Sequence, residues 1–263
     1  MIRLIASDLD GTLLQNGAQS LNPDVIPFIE QLATKYGILF VAASGRQYPN
    51  LKRLFGSASK HMAFICENGS LVFYRDELLL SHPMNREAAL AISHDILSLP
   101  GCELQISGKR QTYLMPKEES FYDRMVNHVK NDVTLISAPE EHPEEYYKIS
   151  AFEASGIATG HGPELIERHK DKAMCTISGH AWIDFVAPDV NKGRALTELI
   201  AHLGITSEEC AAFGDNYNDL EMLSGVKYGY VMNNAIEEIR AQFTYHCDDV
   251  VTAIKELLKL EVQ

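Results

Sequence analysis

Asp8 and Asp10 stand two positions apart, directly after the apolar residues 2–6. In an extended segment, positions i and i+2 share a face, so the two carboxylates start close together. Both ionise readily only with a cation between them; otherwise one keeps its proton. Such a pair suits a metal-assisted nucleophile with an acid beside it, although Asp10-Gly11 also suits an ordinary hairpin turn. Asp215 and Asp219 form a second acidic pair after Gly214, and Asp219 serves equally well as the cap of a helix opening at Leu220. Asp8, Asp10 and Asp215 together make a hard, all-oxygen donor set that suits Mg²⁺. Ser44-Gly45 offers a hydroxyl and an unhindered N–H ahead of a helix, a place for a phosphate oxygen or simply a common loop. Lys192 lies between Asn191 and Gly193 at a helix start, where the helix dipole gives a cation no benefit.

Three apolar strands must position these groups. Residues 2–6 lead to Asp8 and Asp10, residues 38–43 to Ser44-Gly45-Arg46, and residues 210–213 to the run from Gly214 to Asp219. In open α/β sheets the ligand crevice lies outside such carboxyl ends, at a switch in strand order. Asn22 as cap and Pro23 as first residue predict a helix whose apolar face is Val25, Ile29, Leu32 and Tyr36 and which stops at Gly37. A short helix at 49–55 and a strand at 62–66 complete a βαβαβ run, the pattern of a parallel sheet. From residue 70 the alternation fails. Hairpins are predicted around Arg75-Asp76 and Gly108-Lys109-Arg110, helices at 87–98, 121–130 and 164–169, and strands at 148–152 and within 175–186. The βα rhythm returns with a helix at 193–203, a strand at 210–213, a helix at 220–223, a strand at 226–232 and a C-terminal helix carrying Val250, Ile254, Leu257 and Leu258. Pro83 and Pro188 mark the changes. The fold class is therefore α/β: a Rossmann-like parallel-sheet core from segments 1–82 and 188–263, with an inserted α+β domain at 83–187.

Bulk properties exclude several functions. The 263 residues carry 23 Lys and Arg against 36 Asp and Glu, a net charge of −13, which disfavours nucleic acid as a partner. The longest apolar run, Ile38-Leu39-Phe40-Val41-Ala42-Ala43, is far below the roughly 20 residues of a spanning helix, so no membrane partner is expected. Asp8 interrupts any signal-type apolar region, and the expected location is the cytoplasm, with a monomer as the default state. The five cysteines, Cys66, Cys102, Cys175, Cys210 and Cys247, are widely spaced, which argues against a disulfide scaffold or a local zinc site. The ten histidines are scattered and read as surface or core residues. No Walker A, G-x-G-x-x-G, H-E-x-x-H or G-x-S-x-G sequence occurs.

Asp8-Leu9-Asp10-Gly11-Thr12-Leu13, Ser44-Gly45-Arg46, Glu67-Asn68-Gly69, Asn191-Lys192-Gly193 and Gly214-Asp215-Asn216-Tyr217-Asn218-Asp219, in that order, closely resemble the haloacid dehalogenase superfamily. More narrowly, they resemble its Cof-type phosphatases. The resemblance covers the two core segments and implies a mobile α/β cap between them. It implies that Asp8 is the nucleophile, forming an aspartyl-phosphate, and that Asp10 protonates the leaving alkoxide and then deprotonates water. Mg²⁺ would be held by Asp8, the Asp10 main-chain carbonyl and Asp215. Ser44, the Gly45 N–H, Lys192 and Asn218 would hold the transferring oxygens. Thr12, Arg46, Asn68 and Asp219 would support them, Arg46 and Lys192 adding positive field. The implied substrate is a small phosphate monoester such as a sugar phosphate or a phosphorylated cofactor or precursor. Phosphoryl transfer to a sugar is an alternative within the same core. A receiver-like binding module phosphorylated on Asp8 is another, against which Asp10 argues. Lys109, Arg110 and Tyr113 are candidates for substrate contact in the cap. Asn233 stands where relatives often have Gly; because Asn tolerates left-handed backbone better than most residues, the loop is expected to be preserved.

Overall fold

Leu4–Asp8 is a strand with every residue buried, as a continuous apolar run demands when both faces of a sheet are covered. In chain order the strands are β1 (Leu4–Asp8), β2 (Leu39–Ala43), β3 (Met62–Cys66), β4 (Leu71–Tyr74), β5 (Glu77–Ser81), β6 (Cys102–Ser107), β7 (Thr112–Leu114), β8 (Val133–Leu135), β9 (Lys148–Glu153), β10 (Met174–Ser178), β11 (Trp182–Val186), β12 (Cys210–Gly214), β13 (Tyr228–Met232) and β14 (Tyr245–Cys247). This computed structural model describes residues 1–260. The chain divides into two compact units, one comprising Met1–Arg46, Leu51–Leu80 and the chain from Asn191 onward, the other Gln47–Asn50 and Ser81–Val190.

The first unit holds an eight-stranded sheet in the order β14-β13-β12-β1-β2-β3-β4-β5. It is parallel from β14 to β3, and β4 runs antiparallel to β3. With β1 flanked by parallel β2 and β12, no strand folds back after Asp10-Gly11, so the hairpin reading of that dipeptide is excluded. Instead a local turn forms in which Leu14 N–H donates to the Leu9 carbonyl at 2.7 Å. The helix Val25–Tyr36 buries Val25, Phe28, Ile29 and Leu32 and ends at left-handed Gly37. It begins later than Asn22-Pro23 predicts. Asn22 uses its side chain and carbonyl to accept the N–H groups of Asp24 and Val25, closing a separate turn first.

The second unit holds a six-stranded sheet in the order β10-β11-β9-β6-β7-β8, antiparallel except between β7 and β8. One face is covered by the helices Arg86–Ser98 and Gly162–His169 over Ile92, Ile96, Leu104, Ile149 and Phe185. The predicted helix at 121–130 is a short α-helix, Glu119–Asp123, that widens into a π-turn at Arg124–His128. Strand β8 has no counterpart among the predicted elements. Gln47 and Asn50 belong to this unit through side-chain bonds: Gln47 accepts the Thr112 hydroxyl at 2.8 Å and Asn50 donates to the Val129 carbonyl. No helix of the described residues is long and apolar enough to cross a membrane.

Candidate active site

From β1 the chain builds outward through β2 and β3, then resumes on the other side of β1 with β12. The reversal lies between β1 and β12, where Ser7 is in register with Phe213, so the residues after these strands meet at the switch point. The eleven residues expected to carry the catalytic, phosphate-binding, metal-binding and supporting roles all lie in the first unit.

Lys192 Nζ lies 2.5 Å from Asp8 Oδ1 and 2.8 Å from Asp219 Oδ1. The three residues are 2%, 5% and 0% exposed, so these charges are paired out of water. This accounts for a cation at the first position of the helix Lys192–His202, whose cap is supplied separately by Asn191 accepting the Arg194 N–H at 2.7 Å. Asp219 uses its other oxygen to accept the N–H groups of Asp215 and Asn216 at 3.0 and 3.1 Å. It therefore closes the turn that precedes it and does not cap the helix Leu220–Ser224 with its side chain.

Burial, and then the Asp219 carboxylate, raise the Asp8 carboxyl well above the usual range, against the pull of Lys192. Asp215 is also raised, burial outweighing the Thr12 hydroxyl that donates to its Oδ1 at 2.8 Å. Burial alone would lower the Lys192 ammonium, but Asp219 and Asp8 outweigh it and hold the group above the ordinary lysine range. Asp8, Asp215 and Asp219 bring carboxylate oxygens within 4.8 Å of one another. Three acids around one lysine, two of them pushed toward the protonated form, lack positive charge, and their oxygen donors fit a hard dication such as Mg²⁺. Gly11, at φ +97°, makes room for this arrangement, since a Cβ there would lie 2.2 Å from Asp215 Oδ2.

Asp10 is placed apart from that cluster. Its carboxylate is more than half exposed and receives Arg46 Nη2 at 2.6 Å and Nε at 3.0 Å. Arg46 is thus neutralised locally and orients Asp10; it adds no uncompensated field, contrary to the sequence expectation. Ser44 is buried, its Oγ accepting the Arg46 N–H at 3.2 Å and its carbonyl the Asn68 N–H at 3.1 Å. Asn68, in left-handed backbone, stands against Gly45, and its Oδ1 accepts from Asn218 Nδ2 at 3.5 Å. Gly69 brings its backbone so near Asn191 that a Cβ would lie 2.4 Å from the carbonyl oxygen.

Asn234 was missed as a site residue: its Nδ2 donates to the Gly11 carbonyl at 2.9 Å, tying the loop after β13 to the one after β1. Nothing in its local spacing marks it, because the contact joins positions 223 apart. Asn233 does not take left-handed backbone; its amide instead donates to Asp248 at 2.8 Å. In the second unit, Lys109 pairs with Glu145, Arg110 covers the Tyr48 ring and Tyr113 donates to Glu144.

The sequence profile described as haloacid dehalogenase-like hydrolase matches residues 5–252. The Escherichia coli K12 protein named 5-amino-6-(5-phospho-D-ribitylamino)uracil phosphatase YbjI is 26% identical over 265 residues, 99% of this chain and 97% of its own. A Shigella boydii protein named HMP-PP phosphatase is 27% identical over 270 residues, 94% of this chain and 96% of its own. A solved structure from Eubacterium rectale superposes with a TM-score of 0.86 at 25% identity, covering 97% of this chain and 99% of that one.

Proposed function

Because the chain belongs to the haloacid dehalogenase-like hydrolases, matched from residue 5 to residue 252, we propose that it is a Mg²⁺-dependent phosphatase of small phosphate monoesters, working through an aspartyl-phosphate on Asp8. The observation that carries this reading is the buried contact of Lys192 with Asp8 and Asp219 at the switch point. It fixes one carboxylate where a phosphate would arrive.

An Asp8 oxygen attacks phosphorus in line, forming the O–P bond as the bond to the leaving alkoxide breaks. Asp10 supplies the alkoxide with its proton, then takes a proton from the water whose attack releases phosphate and regenerates Asp8. Arg46 holds both oxygens of Asp10, so one of them exchanges its guanidinium contact for the proton that Asp10 delivers while the other keeps the carboxyl group oriented. Lys192, the Ser44 hydroxyl, the Gly45 N–H and Asn218 bind the transferring oxygens, with Asn68 aligning Asn218. Asp8, Asp215 and the Asp10 carbonyl would hold Mg²⁺, with Asp219 supporting them, and the ion supplies the positive charge that lets an anionic nucleophile meet an anionic phosphate. The two relatives named for phosphorylated small molecules support substrates of that class, sugar phosphates and phosphorylated cofactor precursors among them.

The test is phosphate release from an aryl phosphate, sugar phosphates and 5-amino-6-(5-phospho-D-ribitylamino)uracil, with Mg²⁺ or EDTA, for the parent and Asp8→Asn. The expected result is turnover lost to the chelator and reduced at least about 10⁴-fold in the variant, the order seen when a nucleophile is removed. No release by folded, Mg²⁺-supplied parent protein would sink the proposal.

A further inference from the structure

Cys102, Glu153 and His161 come together inside the second unit. Strands β6 and β9 are antiparallel, with Cys102 directly opposite Glu153, so both side chains leave the same face of the sheet. The chain then turns through residues 154–160 and brings His161 over the pair. His161 N–H donates to Glu153 Oε2 at 2.9 Å, its Nδ1 lies 3.1 Å from Glu153 Oε1, and the same Nδ1 lies 3.5 Å from Cys102 Sγ. Gly160 permits the close passage of that loop, since a Cβ there would stand 2.3 Å from Glu153 Oε2. Cys102 and Glu153 are buried, while the His161 side chain is 28% exposed.

One proton on Nδ1 joins the ring to Glu153, whose Oε1 also takes the Ser155 hydroxyl at 3.3 Å, but it leaves the contact between Nδ1 and Cys102 Sγ without a hydrogen. Nδ1 carries at most one hydrogen, and a hydrogen aimed at Glu153 is not aimed at the sulfur. If Nδ1 instead accepts the Cys102 S–H, its lone pair faces a carboxylate oxygen at 3.1 Å with no hydrogen between them. A single cation would satisfy all three atoms, which lie within 4.8 Å of one another. Tetrahedral zinc, with bonds of about 2.0–2.3 Å, sets neighbouring ligand atoms roughly 3.3–3.8 Å apart, near the 3.1 and 3.5 Å that separate His161 Nδ1 from Glu153 Oε1 and from Cys102 Sγ. A sulfur, an imidazole nitrogen and one carboxylate form a mixed set that suits zinc-like ions, whereas Mg²⁺ prefers oxygen alone.

We propose that Cys102, Glu153 and His161 form a site for a zinc-type divalent cation, which clamps β6, β9 and the start of the helix Gly162–His169 together, with water in the fourth position. The site stands independently of the phosphatase reading, because its residues belong to the other unit.

Co²⁺ titration of the whole protein, with Mg²⁺ in excess to fill the aspartate cluster, tests the proposal by absorption spectroscopy. One equivalent should bring up a thiolate-to-cobalt charge-transfer band that Zn²⁺ displaces. Cys102→Ser should abolish the band, and His161→Gln should weaken Co²⁺ affinity by more than the roughly 10–100-fold cost of losing an outer-shell partner. Cys175→Ser, which changes a half-buried cysteine outside the cluster, should leave the band intact. No band at stoichiometric Co²⁺, or one that survives Cys102→Ser, overturns the site. Should Cys102→Ser fail to fold, His161→Gln decides, and unchanged affinity there overturns it. None of these readings depends on phosphate release, so either proposal can fail alone.

Discussion

Thr12 touches the site through one atom, its hydroxyl donating to Asp215 at 2.8 Å. With Asp215 already raised by burial, that bond favours the charged carboxylate a metal needs. Thr12→Val keeps the shape and removes the bond. The Mg²⁺ concentration for half-maximal activity is therefore expected to rise roughly 10–100-fold, with kcat at saturating Mg²⁺ nearly unchanged; an unchanged Mg²⁺ requirement would remove Thr12 from the metal's surroundings. The aspartates were legible because they follow strand ends at short, chemically telling spacings. The Arg46–Asp10 pair was not, because 36 residues separate its members and nothing local links a strand-end arginine to one particular acid. Asp219 likewise read as a helix cap, since only the folded chain brings Lys192, 27 positions away, against its carboxylate.

Between elements, fit decides. The turn after β1 must carry the chain past Asp215, and Gly11 meets both demands of the place, left-handed backbone and a missing side chain. Gly11→Ala would impose strain of about 1–3 kcal/mol from the backbone alone and drive a methyl group into the Asp215 carboxylate. The expected outcome is a folded protein with a lower melting temperature and a Mg²⁺ requirement raised more than in Thr12→Val; wild-type values for both would show that the turn can relax. The parallel strands β1, β2, β3, β12 and β13 were readable because each is a largely apolar run leading to a polar loop; β14, Tyr245-His246-Cys247 with two exposed positions, offers no such run and has no counterpart among the predicted elements. The second unit was harder to read. Strand β8 is three residues with no buried position, so it offers no alternation, and a π-turn interrupts the helical period beside it. The Cys102–Glu153–His161 cluster depends on cross-strand register, which sequence spacing does not encode.

Across the molecule the two units should respond to pH in opposite senses. In the second, burial lowers His169 and His142 below the usual histidine range. Their contribution is complete above the unfolded value of about 6.5 and is lost as pH falls through the depressed folded value. In the first, raised Asp8 and Asp215 favour the fold below the ordinary carboxylate range and lose that benefit as pH rises through their raised values, until a metal ion compensates them. With Mg²⁺ saturating, the melting temperature should fall from pH 7 to pH 5, and less steeply in His169→Gln; equal slopes would clear His169 of the effect. Charge acts at longer range on substrate arrival. Around the proposed nucleophile, Asp8, Asp10, Asp215 and Asp219 face Lys192 and Arg46, so a bound dication would bring that set to neutrality. An approaching phosphate ester then meets chiefly the field of a chain whose −13 charge the dication has reduced only by two, and that field repels it until salt shortens its reach to about 10 Å at 0.1 M. For a substrate whose kcat/KM is limited by encounter, raising ionic strength from about 0.01 to 0.1 M at fixed Mg²⁺ activity should therefore increase kcat/KM, with kcat unaffected. A fall over that range would mean that cations near the site, and not the net charge, govern the approach of the phosphate.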